Sequence, residues 1–198
     1  MRASPVAIAV AVVLAGFTAW ITQQAKALER DLDVNSQKIA LLDRPAPEFH
    51  ATALDGRYLS LANYRAKKLV LIFWATWNNG SHPEMTLLSL LYQQNHTPES
   101  NYDIIGVAVD DDAAAVKRFA NDTRIGFPLV VDHNREFANL FEIRSLPTAL
   151  ILDIDGHVEY GTVGFAQGRQ VELARHLQLP PGAFRNTMMM GAPRGRGN

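Results

Sequence analysis

Cysteine is absent from all 198 residues of this chain. Without a thiol it can form no disulfide, offer no thiolate nucleophile and bind no metal through a thiolate. The six histidines, His50, His82, His96, His133, His157 and His176, show no paired metal-ligand spacing, so surface histidines, no structural metal and no cofactor are expected. A formal net charge of −1 gives no global excess of either sign and excludes a nucleic-acid partner as the first reading. No internal repeat is visible. Acidic residues are missing from Pro180 to Asn198, a Gly- and Pro-containing stretch with Arg185, Arg194 and Arg196; its composition reads as a disordered tail over 180–198.

Charge is also missing between Arg2 and Lys26. The run from Val6 to Ile21 approaches the length of about 20 apolar residues that a membrane-spanning helix needs, with Trp20 placed as an interfacial aromatic would be. Ala25-Lys26-Ala27 resembles a small-x-small cleavage site, so residues 1–22 read as a membrane anchor or a signal peptide. Either one exports the remainder of the chain and places it on the extracytoplasmic side. Ile21, Ala25, Leu28, Leu32, Asn35, Ile39 and Leu42 recur at alternating steps of four and three. That is the seam of a short coiled coil, so 23–43 reads as a helical linker. Two anchored copies could pair through 21–42, or the stripe could lie on the chain's own domain.

What is present beyond these ends is enough for one globular domain, 44–179, in a chain that is 47% hydrophobic and 20% charged. Apolar runs at Leu69 to Trp74, Ile104 to Val109, Leu129 to Val131, Thr148 to Leu152 and Val158 to Val163 predict strands. Because they are continuous and not alternating, the sheet should be covered on both faces, which is an α/β architecture. Asp155-Gly156 predicts a tight hairpin that makes the last strand antiparallel. Helices are expected near Ser81 to Gln94, Ala113 to Asn121, Arg135 to Phe141 and Arg169 to Leu177. The Asp110-Asp111-Asp112 run before the second of these suits the positive end of a helix better than a metal.

The stretch Phe73-Trp74-Ala75-Thr76-Trp77-Asn78-Asn79-Gly80-Ser81 resembles a thioredoxin-type active site in which Asn78 and Ser81 stand at the two cysteine positions. Arg44-Pro45-Ala46-Pro47-Glu48-Phe49, Leu54-Asp55-Gly56-Arg57-Tyr58-Leu59-Ser60-Leu61, Lys68 to Trp74, Ile104 to Asp110, Phe127 to Asp132 and Ile143 to Gly156 extend the resemblance over roughly 44 to 178. Together they are similar to the membrane-anchored thioredoxin-like redoxins called TlpA-like proteins, relatives of the AhpC/TSA peroxiredoxins. The resemblance implies a thioredoxin-like fold, a central mixed sheet flanked by helices. It implies a cis-proline at Pro147 and a site formed by Trp77, Asn78, Asn79, Gly80, Ser81, Leu146 and Pro147. It also implies thiol–disulfide exchange, which this chain has no sulfur to perform, so no catalytic residue is assigned. Thr86, where many relatives have a proline, and Pro83, two residues beyond Ser81, are further departures.

Ser81 has a structural explanation: Ser81-His82-Pro83-Glu84 has the spacing of a capping box. A serine nucleophile would need an orienting base, and His82, its sequence neighbour, is expected to point elsewhere. Asn78 can donate and accept hydrogen bonds but is no nucleophile, so it suits binding. Trp74 continues an apolar strand and reads as core. Pro147 either fixes a buried turn or backs a groove in which Leu146 pairs with an extended polypeptide. Three functional readings are compatible with these residues. The first is a redox-inactive, membrane-tethered domain that binds a polypeptide or protein partner. The others are a cysteine-substituted thiol–disulfide oxidoreductase and a spacer or assembly protein.

Overall fold

The computed structural model describes residues 18, 20–23, 39–109, 112–166 and 169–179. The chain divides into two units, Met1–Lys38 and Ile39–Asn198. In the first, residues 18 and 20–23 are helical, and Thr22 donates its hydroxyl to the Thr18 carbonyl at 2.8 Å. Most of the expected anchor and most of the coiled-coil stripe lie outside the described residues, as does the 180–198 tail. Among the described residues no helix is long and apolar enough to cross a membrane.

The second unit begins with a short antiparallel hairpin, β1 (His50–Thr52) and β2 (Tyr58–Ser60), and a 3-10 turn at Leu61–Tyr64. Beyond it lies the main sheet: β3 (Lys68–Trp74), β4 (Tyr102–Val109), β5 (Leu129–Asp132), β6 (Thr148–Leu152) and β7 (Val158–Val163). Helices α1 (Ser81–Asn95), α2 (Ala113–Thr123), α3 (Glu136–Leu140) and α4 (Arg169–His176) alternate with it or follow it. The strand order is β5-β4-β3-β6-β7. β3 pairs parallel with β4, β4 parallel with β5, and β6 antiparallel with both β3 and β7. This is the expected mixed sheet, with each expected strand and helix present to within a few residues. The hairpin β1–β2 is an addition; its three-residue strands carry too little pattern to stand out in the sequence.

Alternation along β3 explains why the sheet is buried on both sides. Leu69, Leu71 and Phe73 face one cluster with Phe49, Phe137, Phe141 and Leu150. Val70, Ile72 and Trp74 face the other, with Met85, Leu88, Leu91, Val116 and Leu173. Helices α1, α2 and α4 cover the second face, and α3 with the hairpin covers the first. Trp74 is fully buried, as core. Asp132, at the end of β5, accepts the Phe137 and Ala138 N–H groups at 3.1 and 2.8 Å and fixes the start of α3.

The structure corrects two expectations drawn from the sequence. The helical linker drawn to 43 does not include its last residues. Ile39 to Asp43 form turns that join the domain, Leu42 bridges to Val158 and Leu41 is buried in the first cluster. Pairing with β7 competes with the heptad pattern and wins there. The capping box at Ser81 is also absent: α1 is preceded by Gly80 in a helical conformation with no side-chain cap, and Ser81 is inside the first turn. At α2, by contrast, Asp112 caps the helix through the Ala114 N–H at 3.2 Å.

Candidate functional site

The site lies at the carboxyl end of β3, where ligands of open α/β sheets gather. Trp74 closes the strand, and Ala75 to Gly80 form the loop that leads into α1. The turn from Asn78 to Ser81 is closed by the Ser81 N–H, which reaches the Asn78 carbonyl at 2.9 Å and its side-chain oxygen at 3.0 Å. The Ser81 hydroxyl donates to the same Asn78 Oδ1 at 3.2 Å and accepts the Ala75 N–H at 3.3 Å. The Asn78 Nδ2 in turn donates to the Leu146 carbonyl at 3.4 Å. Since an amide N–H can only donate and a carbonyl can only accept, these partners fix which way the Asn78 carboxamide is turned.

Asn78 and Ser81 therefore form a hydrogen-bonded pair. Asn78 and Ser81 hold each other across the same four-residue span that a disulfide would close, and Asn78 also ties the loop to the segment carrying Pro147. This revises the role read for Asn78 from sequence. Much of its hydrogen-bonding capacity is spent inside the protein, so it is first a positioning residue. Ser81 is fully buried, which removes it from contact with a ligand and from any role as a nucleophile.

His82 confirms the second point. Its Nε2 lies 2.7 Å from the Thr76 carbonyl, an arrangement that requires the proton on Nε2, and its ring packs at 5.0 Å from that of Phe119. It therefore presents no base to Ser81. Pro83 occupies the first turn of α1, where no intrahelical N–H is needed. Thr86 bonds back to the His82 carbonyl at 2.9 Å without interrupting the helix.

The Leu146–Pro147 peptide bond is cis, as the family resemblance implies. Pro147 is buried and stands beside the loop: a Cβ built on Gly80 would lie 3.5 Å from Pro147 Cδ and 3.2 Å from Asn78 Oδ1. The Pro147 carbonyl accepts the Gly164 N–H at 2.7 Å, and the Thr148 hydroxyl donates to the Ser145 carbonyl at 2.7 Å. The structure thus brings Asn78, Gly80, Ser81, Leu146 and Pro147 together through direct contacts. Trp77 and Asn79 are in the same loop and exposed, Trp77 by 58%. Leu146 is half-buried, and its N–H donates to no described group.

Sequence reasoning missed the residues that act through their backbones, Ala75, Thr76 and Gly164. Backbone groups leave no compositional trace. Among the described residues no group of three or more His, Asp or Glu side chains is placed to hold a metal ion.

Comparison with known proteins agrees with this geometry. The AhpC/TSA family model matches residues 42–161. The thiol–disulfide oxidoreductase ResA of Bacillus anthracis is 30% identical over 131 residues, covering 66% of this chain and 75% of that protein. ResA of Geobacillus kaustophilus is 31% identical over 133 residues, 67% and 74% of the two chains. Among solved structures, a putative protein disulfide isomerase from Bacteroides thetaiotaomicron superimposes with a TM-score of 0.64 at 21% identity, over 73% of this chain and 94% of that one. A putative thiol:disulfide interchange protein DsbE from Chlorobium tepidum gives 0.60 at 20% identity, over 71% and 97%. These two likenesses establish the thioredoxin-like fold. With the family model spanning the sheet and the loop at Asn78 and Ser81, this chain belongs to the AhpC/TSA family, as a member with no cysteine.

Proposed function

We propose that this protein is a membrane-tethered, extracytoplasmic thioredoxin-like domain that does not exchange disulfides and acts by binding an extended polypeptide or a protein partner. The observation that carries the reading is the exposed edge beside the cis-proline. Trp77 is 58% exposed, Gly80 packs beside Pro147, and the Leu146 N–H next to it is left without a partner among the described residues. A partner strand pairs through main-chain hydrogen bonds and needs no sulfur. An exposed tryptophan beside such an edge is the residue type on which binding energy concentrates. In this reading residues 1–22 are the anchor or export signal, the segment after them links it to the domain, and 180–198 is a tail.

The test is a photo-crosslinking amino acid placed at position 77 of the exported protein, with position 58 as control. Tyr58 is equally open, 66% exposed, in the β1–β2 hairpin. Capture of a discrete partner from 77 and not from 58 is expected. Trp77→Ala should then weaken the affinity of that partner by about tenfold or more, roughly 1.4 kcal/mol. Equal capture from both positions, or a partner indifferent to Trp77, would replace the groove with the spacer reading.

A further inference from the structure

Asn79-Gly80 is the single Asn-Gly pair in the chain, and it occupies the middle of the site loop. Both residues are exposed. Neither the Asn79 carboxamide nor the Gly80 N–H is engaged by any hydrogen bond among the described residues, in contrast to Asn78 on one side and Ser81 on the other. Glycine has no Cβ to shield its nitrogen, and a carboxamide held by no partner is free to turn toward it.

We infer that Asn79 is a site of spontaneous deamidation that alters the candidate site with age. The Gly80 nitrogen attacks Asn79 Cγ and forms a new C–N bond. The Cγ–Nδ2 bond breaks, and ammonia leaves carrying the proton given up by Gly80. The product is a five-membered succinimide. Water then opens the ring at one of its two carbonyls, giving aspartate when the main-chain nitrogen departs from the side-chain carbonyl and isoaspartate when it departs from the main-chain carbonyl. No oxidation or reduction occurs, and water is the only co-reactant.

Each product changes the loop in a definite way. Either one adds a negative charge immediately before α1, at the positive end of that helix, where a carboxylate is favoured. Isoaspartate also lengthens the main chain by one carbon inside the turn that the Ser81 N–H closes onto the Asn78 carbonyl at 2.9 Å. That turn positions the Asn78–Ser81 pair, so the isoaspartyl form should lose the pair while the aspartyl form keeps it. Neighbouring asparagines serve as internal controls. Asn78 is followed by Asn79, Asn95 by His96 and Asn101 by Tyr102, and each of those following residues carries a side chain that hinders the attack.

The full chain is incubated in mildly alkaline buffer, digested with trypsin, and the peptide from Leu69 to Lys117 is followed by mass spectrometry with fragment mapping and enzymatic methylation of isoaspartate. The expected result is the small mass gain of an amide turned to an acid, at Asn79 before any other asparagine of that peptide, with isoaspartate at the same position. The gain should be lost in Asn79→Gln, whose longer side chain does not close the five-membered ring. Modification first at Asn78, Asn95 or Asn101 would overturn the inference. So would no modification after a time in which a free peptide covering residues 76–82 has deamidated. Because the mapping is done on the unaltered sequence, its outcome decides the matter even if the glutamine variant fails to fold.

Discussion

At positions 78 and 81 a carboxamide oxygen and a hydroxyl meet at 3.2 Å, so the two side chains already face each other across the turn. The protein as it exists should neither reduce insulin disulfides nor consume peroxide with a thiol reductant, since the attacking and resolving sulfurs are both missing. Asn78→Cys combined with Ser81→Cys should form an intramolecular disulfide on oxidation. The thiol at position 78 should titrate below the ordinary value of about 8.5, because the start of α1 favours the thiolate. Thiol titration and an insulin assay measure both. A folded double variant with an ordinary thiol and no turnover would show that the loop has lost the geometry of its relatives. At Ser81 the sequence favoured a helix cap over a nucleophile, and the structure supports neither. The hydroxyl turns inward to Ala75 and Asn78, a choice made by a loop whose path no local pattern encodes.

At the level of elements, the central strands are held at close quarters. Gly106 in β4 lies opposite Ile72 of β3 and Leu129 of β5. A Cβ there would sit 2.5 Å from Leu129 Cδ2 and 3.3 Å from both Phe127 and Trp74 Nε1. Gly106→Ala should therefore destabilise the fold by about 1–3 kcal/mol, as overpacking does, despite the smaller entropy cost of ordering alanine. A denaturant titration measures the loss; an unchanged midpoint would mean that Leu129 can move aside freely. The long apolar strands were legible in sequence because burial on both faces leaves unbroken hydrophobic runs. The hairpin β1–β2 and the Ile39 to Asp43 segment were not. Their order comes from contacts distant in sequence, such as the Leu42 bridge to Val158.

The whole molecule carries a titration that the site does not. Burial pushes the phenols of Tyr64 and Tyr102 up from 10.0 to about 12. An unfolded tyrosine loses its proton near 10, whereas the folded one still holds it. Between about pH 10 and 12 the native state therefore binds more protons and stability falls as pH rises. Below 10 the contribution is fully present. The Tyr102 hydroxyl is buried with no hydrogen-bond partner among the described residues, so Tyr102→Phe should leave stability at neutral pH unchanged or raised. It should also flatten the alkaline decline. Thermal melts across that range test both statements, and an unaltered slope would assign the decline elsewhere. On the same scale, export by the N-terminal stretch predicts that the domain is cut by protease added outside intact cells. Protection there, with the domain in the cytosolic fraction, would reject the extracytoplasmic placement.

By itself the sequence determined the class of fold and the absence of thiol chemistry. Strand and helix patterns are local, and a missing element of reactivity needs no coordinates to be seen. It also marked the loop from Trp77 to Ser81 and Pro147 as one site, through resemblance to a family. Only the tertiary structure decided what those residues do to one another. Asn78 bonds across 68 positions to Leu146, Ser81 is sealed from solvent, and His82 is drawn to Thr76. Each of these outcomes depends on which donor meets which acceptor once the chain has closed on itself, and hydrogen-bond partners chosen by three-dimensional proximity are not written in the order of residues.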